Sequence, residues 1–255
     1  AMASEGLRGR WRLTVAAALM CASVLVSAQG RVARRLDIYV IDVEGGNATL
    51  VVAPSGESLL IDSGNVGAGA VRDASRIVSA AKNAGLSRID HAITTHWHGD
   101  HYGGLAEVAA KMPIADFIDH GANIQPTEAT TAFLTDVYPG LYARATHTVV
   151  RPGDVIPLGA VTVRVVSSAG QVLKTPLVKK AQPNLLCGAQ DTVQAVPEDR
   201  QSVGVAIDFG RFRALHLGDL TKDKEWELVC PENRIGTVDV LLGLHHGQDT
   251  SSPES

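Results

Sequence analysis

The chain has 255 residues, of which 23 are basic and 27 are acidic, so its formal net charge at pH 7 is −4. Hydrophobic residues make up 45% of the sequence and charged residues 20%, which is typical of a globular protein and excludes wholesale disorder or a fibrous repeat. A weakly acidic chain binds nucleic acids and anionic membranes poorly in a non-specific way, so we expect no strong binding of that kind.

The start of the chain has the pattern of a secretory signal peptide. A basic stretch comes first, residues 13–26 are almost entirely apolar, and small residues precede a cleavage position after Ala28. The apolar stretch is short for a membrane span, which disfavours the alternative of an uncleaved anchor. The sequence therefore predicts a signal peptide over residues 1–28, a domain over residues 29–255, a secreted or periplasmic location, and no membrane association after cleavage.

Hydrophobic periodicity predicts strands, then helices among strands, then strands again. In chain order we predict strands over residues 35–43, 48–53 and 58–62, a helix over 70–84, a strand over 89–95, a helix over 102–111, a strand over 115–119, a helix over 127–142 interrupted at 139–140, strands over 146–151, 154–157, 161–167, 203–209 and 212–217, a helix over 222–229, and a strand over 238–244. This order predicts an α/β sandwich of two sheets with helices outside.

Residues 168–201 lack such periodicity, and an irregular segment of this length is usually functional or mobile. The segment contains Cys187, which together with Cys230 makes up the cysteines of the predicted mature domain. In an oxidising compartment the two would form one disulfide, and the alternative is two buried free thiols. The sequence does not decide between these alternatives.

The densest set of potential metal ligands is the segment Thr94-Thr95-His96-Trp97-His98-Gly99-Asp100-His101, between a predicted strand and a predicted helix. Clustered imidazoles and carboxylates are typical ligands of divalent metals. His96 and His98 are two apart on an extended loop, so they point the same way. Asp100 and His101 follow at the turn into the helix. One short loop can therefore supply ligands to two adjacent ions.

Two further segments place potential ligands directly after predicted strands. Asp219 follows the strand that ends at residue 217, and His245 and His246 follow the last strand. A carboxylate can bridge two cations, and the end of a strand gives a ligand a fixed direction.

This combination of H-x-H-x-D-H after a strand, Gly-Asp after a later strand and a strand-end histidine resembles the metallo-β-lactamase-fold hydrolases. The flanking residues 42–48, 60–64 and 238–251 resemble the hydrolase domain of ComEC-type DNA-uptake proteins. The resemblance covers residue 36 to the end of the chain. It implies an αββα sandwich and a hydrolase that uses metal-activated water, with one or two Zn²⁺ ions, or Mn²⁺, as cofactor.

The resemblance also implies a ligand set. His96 and His98 would hold the first ion, Asp100 and His101 would hold the second, and Asp219 would bridge them. No nucleophilic serine is needed, and the sequence has no Gly-x-Ser-x-Gly elbow.

Three further roles are implied. His245 would complete the second site because it comes directly off the strand, with His246 as the alternative ligand. Asp62 would hold a ligand from beneath the loop, or it would only cap a turn. Asp100 would be the catalytic residue as well as a ligand.

The sequence departs from the family pattern in three places. Many members have another histidine ligand where this chain has Ser-Ala-Gly-Gln at residues 168–171. Gln171, water, His120 or His147 would fill the gap, with His120 the better histidine because it lies at a strand end, or else the first site is weak. Asn47 stands where the DNA-uptake proteins tend to have Asp. The fold normally continues past the last histidine motif, so we expect a chain that lacks its C-terminal strands and helix.

The leading hypothesis is a secreted metal-dependent hydrolase that acts on phosphodiesters. The first alternative is hydrolysis of a β-lactam or lactone by the same chemistry. The second is a metal-binding module without catalysis, which the missing histidine and the abrupt end of the sequence favour. We therefore expect a small-molecule or phosphodiester substrate as the partner. The sequence does not indicate which oligomeric state the chain adopts.

Overall fold

Two β-sheets form the centre of the described part of the chain, which comprises residues 35–190 and 196–252 of a computed structural model. The predicted signal peptide lies outside these residues. Within them, no helix combines the length and the apolar composition needed to span a bilayer.

The first sheet contains six strands in the order of the sequence. The first three form an antiparallel meander, as predicted, and the remaining neighbours are parallel. The ends of the parallel strands therefore meet at one edge of the sheet. The strands are β1 (Asp37–Val40), β2 (Thr49–Val52), β3 (Ser58–Ile61), β4 (Ile89–Ile93), β5 (Ile114–Asp119) and β6 (Thr146–Val149).

The second sheet has the order β14-β12-β11-β8-β7, with the short strand β9 paired to the end of β8. Strand β14 runs parallel to β12, so the loops after both strands leave from the same edge. The strands are β7 (Val155–Leu158), β8 (Val161–Ser168), β9 (Gln171–Val172), β11 (Gly204–Phe209), β12 (Phe212–His216) and β14 (Val240–Leu242), while β10 (Gln182–Pro183) pairs separately with β13 (Glu232–Asn233).

Helices cover the outer face of each sheet. The α-helices are α1 (Ala68–Asn83), α2 (Gly99–Tyr102), α3 (Leu105–Lys111), α4 (Glu128–Ala132), α5 (Tyr138–Leu141) and α6 (Lys222–Val229), with a π-helical turn (Phe133–Val137) and two 3₁₀ turns (Asp199–Gln201 and His245–Gly247). Helix α1 buries Ala74, Ile77, Val78 and Ala81, which recur at helical spacing on one face.

Three apolar layers hold the sandwich together. Leu50 and Leu60 of the first sheet face α1 and α3, whereas Leu59 faces Val163 and Val205 of the second sheet. Because both faces of these strands are buried, their sequences are almost continuously apolar. The outer face of the second sheet packs against α6. The predicted αββα sandwich is therefore confirmed.

Several predicted elements differ in length or continuity. The predicted helix over residues 127–142 is divided into α4, the π-helical turn and α5, and Pro139 lies at the start of α5, where a missing amide hydrogen costs nothing. The predicted helix over 102–111 begins earlier, as α2, and is broken before Leu105. The predicted last strand over 238–244 shortens to three residues.

A disulfide joins the irregular segment to the end of α6. Cys187 and Cys230 are bonded and enclose a sequence separation of 43 residues. The alternative of two free thiols is therefore wrong for this structure. The bond tethers a segment with few apolar contacts of its own, since Leu185 and Leu186 next to Cys187 are exposed.

We expect reduction of this disulfide to destabilise the chain. Loop-closure entropy for 43 residues predicts a loss of about 4 kcal/mol, which lowers the melting temperature by roughly 10 °C for a domain of this size. Melting with and without reductant measures the loss, and the Cys187→Ser/Cys230→Ser double variant should be insensitive to reductant. Thiol titration of the unreduced, denatured 255-residue chain should find one free thiol, from Cys21. Three free thiols would show that the bond is absent.

Candidate metal centre

The metal loop, residues 94–101, connects β4 to α2 and is fastened to the turn after β3. Backbone N and side-chain Oγ of Ser63 both donate to the carbonyl of His101, at 2.7 and 3.0 Å. The backbone N of Asn47 donates to the carbonyl of Asp100 at 3.1 Å. The loop that carries most of the predicted ligands is therefore held by the first sheet.

Asp62 lies beneath the metal loop and is 1% exposed. Its carboxylate accepts hydrogen bonds from Thr95 N at 2.7 Å, Thr95 Oγ1 at 2.9 Å and Asn47 Nδ2 at 2.8 Å. The Nδ1 atom of His101 donates to the same carboxylate at 2.8 Å. With Nδ1 as the donor, Nε2 of His101 is the ring atom that faces the other potential ligands, and it is the atom whose lone pair becomes available when the ring is neutral.

The first group of potential ligands consists of His96, His98 and Asp199. The Nε2 atom of His96 and the Nδ1 atom of His98 lie 2.9 Å apart. Oδ1 of Asp199 lies 3.5 Å from the former and 2.9 Å from the latter. Such spacing between ligand atoms is compatible with one tetrahedral ion at ordinary zinc–ligand distances.

The second group consists of Asp100, His101 and His246. The Nε2 atoms of the two histidines lie 3.3 Å apart. Oδ2 of Asp100 lies 3.7 Å from Nε2 of His101 and 3.3 Å from Nε2 of His246. The metal loop therefore contributes residues to both groups of potential ligands.

Asp219 lies between the two groups. Its Oδ2 atom is 3.1 Å from Nε2 of His101, 3.3 Å from Nε2 of His246 and 4.0 Å from Nε2 of His96. The preceding Gly218 has φ 59°, and a Cβ there would crowd the side chain of Thr95. The missing side chain therefore lets this turn approach the metal loop closely enough for one carboxylate to reach both groups.

The structure separates the two adjacent histidines. Nε2 of His245 lies 3.5 Å from Asp219 and 3.6 Å from Oδ2 of Asp199, and its ring is bonded through Nδ1 to Thr250 at 2.6 Å. His246 faces Asp100 and His101 instead. From the sequence, His245 is the expected third ligand beside Asp100 and His101, whereas in the structure His246 lies there. Both histidines have positive φ, at 44° and 54°, a conformation concentrated at functional sites.

Asp199 lies where the sequence analysis found no ligand. It is 1% exposed, and neither of its carboxylate oxygens accepts a hydrogen bond from a described residue. His98 approaches to 2.9 Å but without the orientation of a hydrogen bond. A buried carboxylate without donors is costly unless something positive pairs with it. The surrounding imidazoles and carboxylates therefore fit a divalent cation such as zinc or manganese.

Glu198 fixes Asp199 against the metal loop. It is fully buried and accepts hydrogen bonds from Trp97 N at 3.0 Å and Ile124 N at 2.9 Å. It also bonds Nε2 of His120 at 2.8 Å. Since Trp97 lies between the first two histidines of the loop, Glu198 anchors both sides of the first group.

Among the described residues, neither His120 nor His147 belongs to a group of potential metal ligands. His120 is paired with Glu198, and His147 bonds Asp119 at 2.7 Å. Gln171 is exposed on β9. The sequence analysis missed Glu198 and Asp199, although the only acidic residues of the irregular segment are this pair and Asp191. Their position just before a strand was the available signal.

The charges of the cluster are balanced within a buried volume. Burial lowers the pKa of His96 well below its usual value, and nearby His101 adds to the effect, so its imidazole is neutral at neutral pH. Burial opposes ionisation of Asp219, but hydrogen bonds with His101 and His246 hold its pKa well below the ordinary range. Hydrogen bonds with Asp100 and Asp219 raise the pKa of His246 to about 9. Because neutral imidazoles and ionised carboxylates are the forms that bind metal, an ion bound here would displace the proton from His246.

A small cleft of about 320 Å³ is lined by residues on either side of Glu198 and Asp199 in the sequence, Pro197 and Arg200. It is lined by Arg200, next to Asp199, and by Ile124, Gln201 and Lys224. Ile124 is 52% exposed, which gives the cleft an apolar rim. Arg200 is ion-paired with Asp223, so its charge is partly compensated.

Comparisons with known proteins give related matches. The model of the metallo-beta-lactamase superfamily matches residues 41–168, about half of the chain. An atrochrysone carboxyl ACP thioesterase, dmxR1, from Cryptosporiopsis sp. (strain 8999) is 30% identical over 106 residues, which are 40% of this chain and 31% of that protein. The chain therefore spans about a third of the length of the curated relative it matches.

Two solved structures are similar to the chain at low sequence identity. A metallo-β-lactamase from Cronobacter sakazakii with a HARLDQ motif, as mutant S60, has a TM-score of 0.47 at 15% identity and covers 81% of this chain and 74% of its own. MEM-A1, a subclass B3 metallo-β-lactamase from a soil metagenome library, has a TM-score of 0.43 at 17% identity and covers 70% of this chain and 59% of its own. From the family match, the chain belongs to the metallo-β-lactamase superfamily, whose members are generally hydrolases.

Proposed function

We propose that this chain is a metal-dependent hydrolase with two adjacent Zn²⁺ ions and that it cleaves phosphodiesters. The observation that carries the proposal is the joining of two imidazole–carboxylate groups by the single carboxylate of Asp219. Paired ligand groups that share a carboxylate are typical of two-metal hydrolytic centres.

The residues present fit two ions. His96, His98 and Asp199 would hold the first, and Asp100, His101 and His246 would hold the second. His245 stays a candidate ligand as well, because it lies 3.5 Å from Asp219. Bound divalent ions at such a centre acidify water and polarise the oxygen of a substrate.

The chain's own residues orient and protect this centre. The Asp100 side chain is 35% exposed, whereas Asp219 is only 5% exposed, so Asp100 is the carboxylate placed to accept a hydrogen bond from incoming water. Asp62 holds the Nδ1–H of His101 and thereby orients the opposite nitrogen. Buried Trp97 excludes solvent from below the loop.

The substrate class follows from two kinds of support. The motifs around residues 42–48 and 238–251 resemble those of ComEC-type proteins, which act on nucleic acid. The cleft lined by Arg200 and Lys224 also offers hydrogen-bond donors to an anionic substrate, although these two side chains are ion-paired with Asp223 and Glu227. Phosphodiesters are therefore the first substrates to test.

Carbonyl substrates form the second candidate class, which includes β-lactams, lactones and thioesters. The matched relative is named as a thioesterase, and the exposed Ile124 gives the cleft an apolar rim that suits an acyl chain. The same activated water attacks a phosphorus or a carbonyl carbon, so the ligand set alone does not discriminate between the classes.

The disulfide and the signal-peptide pattern support a secreted or periplasmic location. Disulfides persist mainly in oxidising compartments. We therefore propose that the chain works outside the reducing cytoplasm.

The proposed function is tested by stripping the metal with a chelator and then restoring it. Hydrolysis of bis(p-nitrophenyl) phosphate should disappear on stripping and return with Zn²⁺ or Mn²⁺. Parallel assays with nitrocefin, a lactone and an acyl thioester test the second class. Activity on a carbonyl substrate alone would replace the phosphodiester proposal, and stoichiometric metal binding without any turnover would leave a binding module.

Asp199→Asn should remove the first ion. The amide keeps the shape but loses the negative charge that faces His96 and His98, so elemental analysis should fall from two equivalents to about one. Circular dichroism should be unchanged. Gln171→Ala is the matched control, because it tests the alternative ligand from the sequence and should keep both ions. The opposite pattern in the two variants would overturn the assignment of Asp199.

Asp100→Asn should lower turnover by at least ~100-fold, the usual range for losing a group that handles protons. Its partial exposure means that the change should cost little stability. Asp136→Asn, an exposed aspartate on the π-helical turn, serves as the charge-matched control and should retain wild-type turnover. Turnover of Asp100→Asn equal to that of the control would place water activation elsewhere.

A further inference from the structure

A second cavity lies on the outer face of the second sheet. Its volume is about 610 Å³, within the range of pockets that bind small molecules. The β6–β7 turn and the chain after β9 form its walls, and β8 forms its floor. The lining residues include none of the potential metal ligands, so the cavity is separate from the metal centre.

Three cations line this cavity: Arg151, Arg164 and Lys174. Among the lining residues none is acidic, and none of the three cations has an ion-pair partner within the described parts of the chain. Asp154 is the carboxylate of the adjoining turn, and its Oδ2 atom accepts the backbone N–H of Arg151 at 2.8 Å. Within the described residues, the charged groups of the three cations are therefore left without an ion-pair partner, although one carboxylate lies in the adjoining turn.

Of the three cations, Arg164 is the best placed to bind an anion in the cavity. It lies on β8 between Val163 and Val165, which are buried between the sheets, so its side chain projects to the outer face. It is half-buried, yet its guanidinium donates one hydrogen bond, from Nη1 to the carbonyl of Gly153 at 3.0 Å. A guanidinium has five N–H donors in a planar fork that matches phosphate or carboxylate oxygens.

The sequence of the cavity wall reinforces this charge. Residues 171–190 contain Lys174, Lys179 and Lys180 and no acidic residue, although the whole chain has a net charge of −4. Local positive potential on an acidic chain favours a specific anionic ligand over general binding of polyanions.

The cavity also has an apolar side. Leu173, Pro176 and Leu177 face the same cavity as the three cations. A ligand that fills the volume would therefore need an anionic head for the cations and an apolar body for this wall. Inorganic anions would satisfy only the first requirement.

We propose that this cavity binds an organic phosphate, with Arg164 as the anchor and with Arg151 and Lys174 at its rim. The phosphate oxygens accept hydrogen bonds from the free guanidinium donors, and the organic part packs on the leucines and the proline. The site is independent of the hydrolytic reaction, and its occupancy does not require metal.

Titration calorimetry of the metal-loaded chain with phenyl phosphate tests this proposal. The wild type should bind one equivalent with a dissociation constant below about 1 mM, and Arg164→Gln should weaken binding by about tenfold or more. Arg211→Gln removes an exposed arginine from the β11–β12 hairpin and is the matched control, for which no change is expected. Inorganic phosphate should bind more weakly than phenyl phosphate.

Further variants separate the cavity from the metal centre and from unfolding. Asp219→Asn should lose metal but keep phenyl phosphate binding. Arg151 and Lys174 are both exposed, so the double variant Arg151→Gln/Lys174→Gln should weaken the binding of phenyl phosphate without lowering the melting temperature. The proposal would be overturned if both cavity variants bound phenyl phosphate as tightly as the wild type, or if Asp219→Asn lost that binding. It would also be overturned if inorganic phosphate bound as tightly as phenyl phosphate, or if the wild type bound no phenyl phosphate at a ligand concentration of about 10 mM.

Discussion

The carboxylate of Asp62 is the junction on which the metal centre depends. It accepts hydrogen bonds from both the backbone and the side chain of Thr95, from Asn47, and from the ring of His101. These donors come from the loop between β1 and β2 and from the metal loop itself. A buried carboxylate is stable only while its donors stay in place, so the network resists displacement of any one of them. The direction of the ligand nitrogen of His101 is thereby set before any ion arrives.

The second sheet contributes to the centre through its loops. Asp219 follows β12, His245 and His246 follow the parallel strand β14, and Asp199 precedes β11. The centre therefore lies where the loop-bearing edges of the two sheets meet. Each sheet alone presents an incomplete ligand set, so packing of the apolar layer between them is a requirement for the centre as much as for the fold.

The sequence predicts those features of the candidate metal centre whose residues lie close together along the chain. The metal loop has its histidines and aspartate within six residues after an apolar strand, and the two-sheet sandwich follows from the order of the strands. Asp199 escapes prediction because its place is set by contacts of Glu198 with Trp97, about 100 residues earlier in the sequence. The choice between His245 and His246 depends on positive φ angles at both residues, which side-chain chemistry does not reveal. The division of the helix over residues 127–142 likewise arises from packing.

The irregular segment is fastened at two points of different character. The disulfide at Cys187 holds its middle to the end of α6, and the buried Glu198 holds its end to the metal loop. Changes in loop length between β9 and Cys187 would alter the wall of the cavity lined by Arg151, Arg164 and Lys174. They would leave the carboxylate of Asp199 where it is. An insertion between residues 198 and 203 would instead shift Asp199 relative to the strand that follows it. Related chains can therefore vary the wall of the outer cavity without rebuilding the candidate metal centre, because the two lengths of polypeptide vary under separate constraints.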